Sequence, residues 1–153
     1  MKITRTRDSE LVAKLNENVQ NVHSDLYPSF FKPYNYEEIK DFFIKIIDNP
    51  EFIFLIAEDE GEPVGYAWIE IKTYPESAFK KSYQSVFVYQ LSVSAEKMNK
   101  GYGTALMNEI FTIARNHNVK RVELDYWIQN EQASSFYKKL GFEKYREFVY
   151  KEI

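Results

Sequence analysis

Apolar residues fall at helical spacing in four stretches of this chain, and they run together or alternate in most of what lies between. Leu11, Leu15, Val19 and Val22 share one helical face. Asp8, just ahead of them, suits an N-cap, because its carboxylate accepts from the free N–H groups of a first turn. Ile3 to Thr6 reads as a short strand before that helix. A second helical stretch carries Ile39, Phe42, Phe43, Ile46 and Ile47. Asn35 and Glu38 open it with capping-box spacing, and Asn49-Pro50 closes it. Between the two lies HSDLYPSFFKPYN, an aromatic-rich connection broken by Pro28 and Pro33.

The pattern then changes. EFIFLIAE is continuously apolar, as expected of a strand covered on both faces. EDEGEP turns the chain into a second strand, VGYAWIEIKTY, and after the loop PESAFKKS comes a third, YQSVFVYQLSV. Leu106, Ile110, Ile113 and Ala114 mark the third helix, and VKRVELDYW follows as a strand in which Val122, Leu124 and Tyr126 alternate with polar residues. Ala133, Phe136, Tyr137 and Leu140 mark a fourth helix, capped by Asn130 and ended by Gly141. FEKYREFVYKEI reads as a final strand pair. The predicted order is β-α-α-β-β-β-α-β-α-β-β, an α/β (α+β) fold. A mixed sheet of six to seven strands is expected, with helices on both faces and a parallel crossover between Val86 and Trp127.

Length and composition narrow the possibilities. The chain has 153 residues, which suits one domain over 1–153. Hydrophobic residues make up 44% and aromatics 17%, an argument against disorder. A net charge of −3 implies no general affinity for nucleic acid. Without cysteine there is no disulfide, thiolate metal site or cysteine nucleophile. His23 and His117 lie far apart in sequence, so no metal site is expected. The start, MKITRTRDSE, has no apolar leader, and the longest apolar run, FIFLIA, is far short of the roughly 20 residues a membrane span needs. These features predict a cytoplasmic protein with no membrane partner.

The candidate chemistry starts at KMNKGYGTAL, Lys97 to Leu106, where two glycines sit at a strand-to-helix junction. A helix N-terminus has unpaired N–H groups and a partial positive charge, so it holds anions when the preceding turn lets them approach. Gly101 and Gly103 have no Cβ to obstruct a phosphate, and Lys97 and Lys100 add positive charge. A dinucleotide fingerprint would need a third glycine where Leu106 stands, and the P-loop pattern is absent. Taken alone, a tight turn with no ligand is the better explanation of the two glycines at this point.

Together, VSAEKMNKGYGTAL and NEQASSFYKKLGF resemble the GCN5-related N-acetyltransferase (GNAT) family. Val93, Gly101 and Gly103 match its first motif. Asn130, Ala133, Phe136, Tyr137, Gly141 and Phe142 match its second. The resemblance implies acetyl-coenzyme A as donor substrate and an amine as acceptor. It implies that the pyrophosphate rests on the backbone of Asn99, Lys100, Gly101, Tyr102, Gly103 and Thr104. The pantetheine arm would pair with the backbone around Leu91, Ser92 and Val93, near Asn130 and Ala133. Lys139 would reach an outlying phosphate, or belong to a solvated helix face. Met98 stands where the family carries Arg or Gln. By the same resemblance Tyr137 is the general acid, although its spacing also places it in an apolar stripe.

A lysine-like amine, with a pKa of about 10.4, is almost wholly protonated at neutral pH, so a proton acceptor helps. Many family members carry Glu where this chain has Gln90. Glu70 and Asp125 are the substitute candidates, beside a water chain to solvent. His23, Tyr27 and Phe31 lie in the aromatic connection, which either lines an acceptor pocket or simply pins that loop to the core. The competing expectation is a non-catalytic acetyl-coenzyme A sensor or interaction module. The chain is expected as a monomer or a homodimer, and exposed aromatics in REFVYKEI suit strand pairing within or between chains.

Overall fold

Why the first helix breaks is the clearest case of the sheet overruling the sequence pattern. In the computed structural model, which describes residues 1–153, the chain enters through β1 (Lys2–Arg5). Asp8 caps α1 (Ser9–Leu15), its Oδ1 accepting from the Leu11 N–H at 3.0 Å. The single helix expected through Val22 is two helices: α2 (Glu17–Leu26) restarts after Asn16. Two polar contacts from the sheet divide them. The Ser92 hydroxyl donates to the Leu15 carbonyl at 3.0 Å, and the Asn16 amide turns inward to the Tyr66 hydroxyl at 2.9 Å.

Asn35 caps α3 (Tyr36–Ile46) by accepting the Glu38 N–H at 3.0 Å, while the Glu38 carboxylate pairs with Lys32 instead of closing the box. β2 (Phe52–Asp59) and β3 (Glu62–Tyr74) are joined by Glu60 and Gly61, with φ of 50° and 84°. Two positive φ values in a two-residue loop give the turn whose twist matches a hairpin. β4 (Tyr83–Val93) runs antiparallel to β3. α4 (Tyr102–Asn116) then crosses over to β5 (Val122–Glu123), which is parallel to β4. α5 (Glu131–Lys139) ends at Gly141, whose φ is 88°.

The sheet has five strands in the order β1-β2-β3-β4-β5, not six to seven. The strand expected over Val119–Trp127 joins the sheet only at Val122 and Glu123. The final strand pair does not form. Glu143 to Ile153 contains no Gly, Pro, Asn, Asp or Ser with which to turn a hairpin, and no backbone hydrogen bond extends past Phe142.

Side-chain alternation gives the sheet two cores. On one face Leu106, Met107 and Ile110 of α4 pack on Ala67, Ile69, Val86 and Val88, with Tyr137 of α5. On the other, Val12 of α1 and Phe43 of α3 pack on Phe54, Ile56, Tyr66 and Trp68. β2 feeds both, Leu55 to the first and Phe54 to the second, which is why its sequence is continuously apolar. No helix is long and apolar enough to cross a membrane.

Candidate functional site

β4 has two neighbours at its start and one at its end. Its parallel pairing with β5 covers only Val86↔Val122 and Phe87↔Glu123. Its pairing with β3 continues to Gly65↔Val93. The register with β3 steps from Ile69↔Val88 to Trp68↔Gln90, leaving Tyr89 as an extra residue. Such a bulge bends and twists its strand. From Val88 to Val93, β4 therefore has no strand on its β5 side, and the backbone around Leu91 faces a gap. Gly65 keeps β3 tight here, since a Cβ on it would lie 2.7 Å from the Ser92 carbonyl oxygen.

The glycine turn follows β4 directly. Gly101 has φ 91° and Asn99 φ 61°, and Gly101 takes the N-cap position of α4. The first backbone bond of that helix runs from the Ala105 N–H to the Gly101 carbonyl at 2.9 Å. None of the N–H groups of Asn99, Lys100, Gly101, Tyr102, Gly103 or Thr104 takes part in the backbone hydrogen bonding. Free donors at a helix N-terminus suit an anion. The two glycines serve different ends. Gly101 supplies the left-handed backbone, where a Cβ would meet only the Met1 methyl at 3.9 Å, whereas a Cβ on Gly103 would meet the Phe136 ring at 3.3 Å. Gly103 thus lets α5 pack against α4.

Lys97 is not the mobile charge expected. It pairs with Asp59 at 2.8 Å, and each shifts the other: the Lys97 hydrogen bond lowers the Asp59 pKa, and Asp59 raises that of Lys97. Lys100 and Lys139 are exposed. Met98 turns its sulfur toward Asn18 Nδ2, at 3.4 Å, and the same amide donates to the Val93 carbonyl at 2.8 Å. α2 thus ties the turn to the end of β4 through Asn18, a residue with no sequence signal.

α5 brings the second motif to the same side. Asn130 is its N-cap, Oδ1 accepting the Ala133 N–H at 3.1 Å. Tyr137 lies among Tyr126, Phe136 and Phe142, with ring centroids at 5.9, 5.1 and 5.5 Å. Burial pushes its pKa up to about 12, so its hydroxyl keeps its proton at neutral pH.

Of the candidate acceptor residues, His23, Tyr27 and Phe31 come together. His23 stacks on Phe31 at 4.8 Å, and burial lowers its pKa, which favours the neutral imidazole. Tyr27, Phe30 and Phe31 surround Trp127 at 4.7, 5.5 and 5.0 Å, and the Tyr27 hydroxyl accepts the Gln129 N–H at 2.9 Å. Sequence reading did not find Trp127, because it continues a strand pattern and its partners are about 100 residues away in the chain. Consecutive residues link the two groups: Tyr126 lies against Tyr137, and Trp127 holds the α2–α3 connection.

Gln90 and Glu70 are each held by a tyrosine hydroxyl of the sheet. Gln90 accepts from the Tyr66 hydroxyl at 2.5 Å, beside Asn16. Glu70 accepts from the Tyr89 hydroxyl, and Asp125 is exposed.

The Acetyltransferase (GNAT) family model matches residues 17–142. An L-amino acid N-acetyltransferase of Escherichia coli is 30% identical over 100 residues, 65% of this chain and 58% of that protein. The chain thus spans less than two thirds of that relative's length, and only 39% of an uncharacterised N-acetyltransferase of Methanocaldococcus jannaschii. Among solved structures, a mutant BH1408 protein of Bacillus halodurans superimposes with a TM-score of 0.89 at 21% identity, covering 100% of this chain and 99% of that one. AAC(6')-Iy, in complex with the bisubstrate analogue CoA-S-monomethyl-acetylneamine, gives 0.68 at 18% identity, covering 99% and 97%.

Proposed function

The chain belongs to the GNAT acetyltransferase family, and from that membership we propose that it moves the acetyl group of acetyl-coenzyme A to an amine. The observation that carries this reading is the early end of the β4–β5 pairing beside the free N–H groups of Asn99–Thr104. The gap suits an extended arm that hydrogen-bonds along one strand, and the turn suits a pyrophosphate. One ligand has both parts in that order. The bisubstrate complex of AAC(6')-Iy supports the reading by fold analogy.

The chemistry follows from the residues at hand. A neutral amine nitrogen attacks the acetyl carbon, and a backbone N–H of β4 near Leu91 stabilises the oxyanion. The carbon–sulfur bond then breaks. The sulfur takes the proton of the Tyr137 hydroxyl, and the proton released by the new amide's nitrogen returns through solvent to Tyr137. Gln90 cannot accept a proton and is already held by Tyr66. The acceptor therefore reacts from its own neutral fraction, and it approaches from the side of His23, Tyr27, Phe31 and Trp127, whose rings suit a cationic or aromatic amine before deprotonation.

Calorimetric titration with acetyl-coenzyme A, with ATP and NAD as controls, tests the donor. Thiol release across a panel of amino acids, peptides and small amines tests the transfer. Binding of acetyl-coenzyme A alone, with thiol release for one amine class, is the expected result. No binding would overturn the reading. Binding without release for any amine would favour a non-catalytic sensor.

A further inference from the structure

The backbone groups at the end of β4 alternate in direction, and that alternation shows which of them a ligand in the gap can reach. Successive residues of an antiparallel strand turn their N–H and C=O first to one side and then to the other. The Ser94 N–H donates to the Val64 carbonyl of β3 at 2.8 Å. The Ser92 carbonyl points the same way, toward Gly65, where a Cβ would meet its oxygen at 2.7 Å. Leu91 and Val93 therefore turn their polar groups to the opposite side, into the gap left by β5.

One of those groups is already taken, and the donor comes from outside the sheet. The Val93 carbonyl accepts from Asn18 Nδ2 of α2 at 2.8 Å. A carbonyl can only accept, so the amide nitrogen faces it and Oδ1 faces away. The same nitrogen is shared with the Met98 sulfur at 3.4 Å. Asn18 is half-buried, and its Oδ1 makes no hydrogen bond within the chain and is not itself buried. An unpaired acceptor thus stands at the edge of the gap.

Val93 lies between the two parts of the site. Leu91 precedes it with the N–H given to the oxyanion, and the free N–H groups of Asn99–Thr104 follow it. A coenzyme A arm that runs from one to the other passes Asn18 with the half next to its pyrophosphate. That half carries a hydroxyl and an amide N–H, and each needs an acceptor once water is displaced. The Val93 carbonyl is spent on Asn18, and Oδ1 of the same side chain is the acceptor left beside it.

We propose that Asn18 is a donor-binding residue supplied by α2: its Nδ2 fixes the Val93 carbonyl, and its Oδ1 accepts a hydrogen bond from the coenzyme A arm. The proposal rests on the acetyl-coenzyme A reading of this site and adds to it a residue outside both sequence motifs.

Asn18→Ala and Asn18→Leu test it, the first favouring the helix and the second filling the same space. By calorimetry each should raise the acetyl-coenzyme A dissociation constant about tenfold, with melting within a few degrees of the unaltered chain. Two fragments separate contact with the arm from an effect on the glycine turn. Phosphopantetheine carries the arm and adenosine 3′,5′-bisphosphate does not, and both are read by competition with acetyl-coenzyme A. Phosphopantetheine should lose the same factor in the variants, and adenosine 3′,5′-bisphosphate should bind as before. If one variant folds poorly, the other carries the comparison. Equal affinity for acetyl-coenzyme A in the unaltered chain and the variants would overturn the Asn18 assignment alone. So would a loss shared by both fragments or confined to the nucleotide. Failure of the unaltered chain to bind acetyl-coenzyme A would overturn the acetyl-coenzyme A reading, and this assignment with it.

Discussion

Tyr137 has aromatic rings on three sides, and that burial decides its protonation state. Tyr137→Phe keeps the packing and removes the proton. Turnover by thiol release is expected to fall about a hundredfold or more, with the acetyl-coenzyme A dissociation constant unchanged by calorimetry. Because its pKa is about 12 in the fold, Tyr137 should add no inflection to the rate profile between pH 6 and about 9.5. Within that range the rate should rise with pH along the acceptor amine's own titration, and a second amine of different pKa should move the limb. For stability the sign runs the same way. The folded value lies above the unfolded value of about 10, so the contribution is complete below pH 10 and is lost as pH rises toward 12. Gly101→Ala places a side chain at φ 91°, which costs about 1–2 kcal/mol in denaturant unfolding. The same change should weaken acetyl-coenzyme A binding, since it distorts the turn that carries the free N–H groups.

At the scale of elements, the site exists because one strand loses a neighbour before it ends. β4 follows β3 to Val93 but leaves β5 after Phe87. Gly65→Ala would push a Cβ against the Ser92 carbonyl, part of the backbone that forms the gap's wall. Unfolding should show a loss of about 1–3 kcal/mol, with weaker donor binding alongside. Trp127→Ala would release the α2–α3 connection from the segment that leads into α5. Steady-state kinetics should show a raised KM for the acceptor, with donor affinity retained. The sequence pattern located β4, α4 and α5 and their caps, because each rests on local rules: alternation, helical spacing, and an Asn or Gly at a terminus. It missed the break at Asn16 and the short β5. Those depend on Ser92 and Tyr66 reaching α1, and on a bulge at Tyr89 that carries no residue signature.

At the scale of the molecule, two cores on one sheet leave the C-terminal tail outside both. A chain shortened after Tyr145 keeps the Glu123 contact and loses only exposed residues. It should unfold within about 1 kcal/mol of the full chain when both are monomeric.

The sequence by itself determined the layered α/β plan, the glycine turn before α4, the Asn130 cap and the family motifs. These are written in residue type and short spacing, where backbone geometry leaves few alternatives. Only the tertiary structure decided that Lys97 is spent on Asp59, that Gly103 serves Phe136, that Asn18 clasps Met98 and Val93, and that Trp127 gathers Tyr27 and Phe31. It also decided that the last strand pair is a single unpaired tail. The physical reason is common to all of them. Each contact joins residues distant in sequence, and its partner is fixed by how strands bulge and helices pack, which no local pattern encodes.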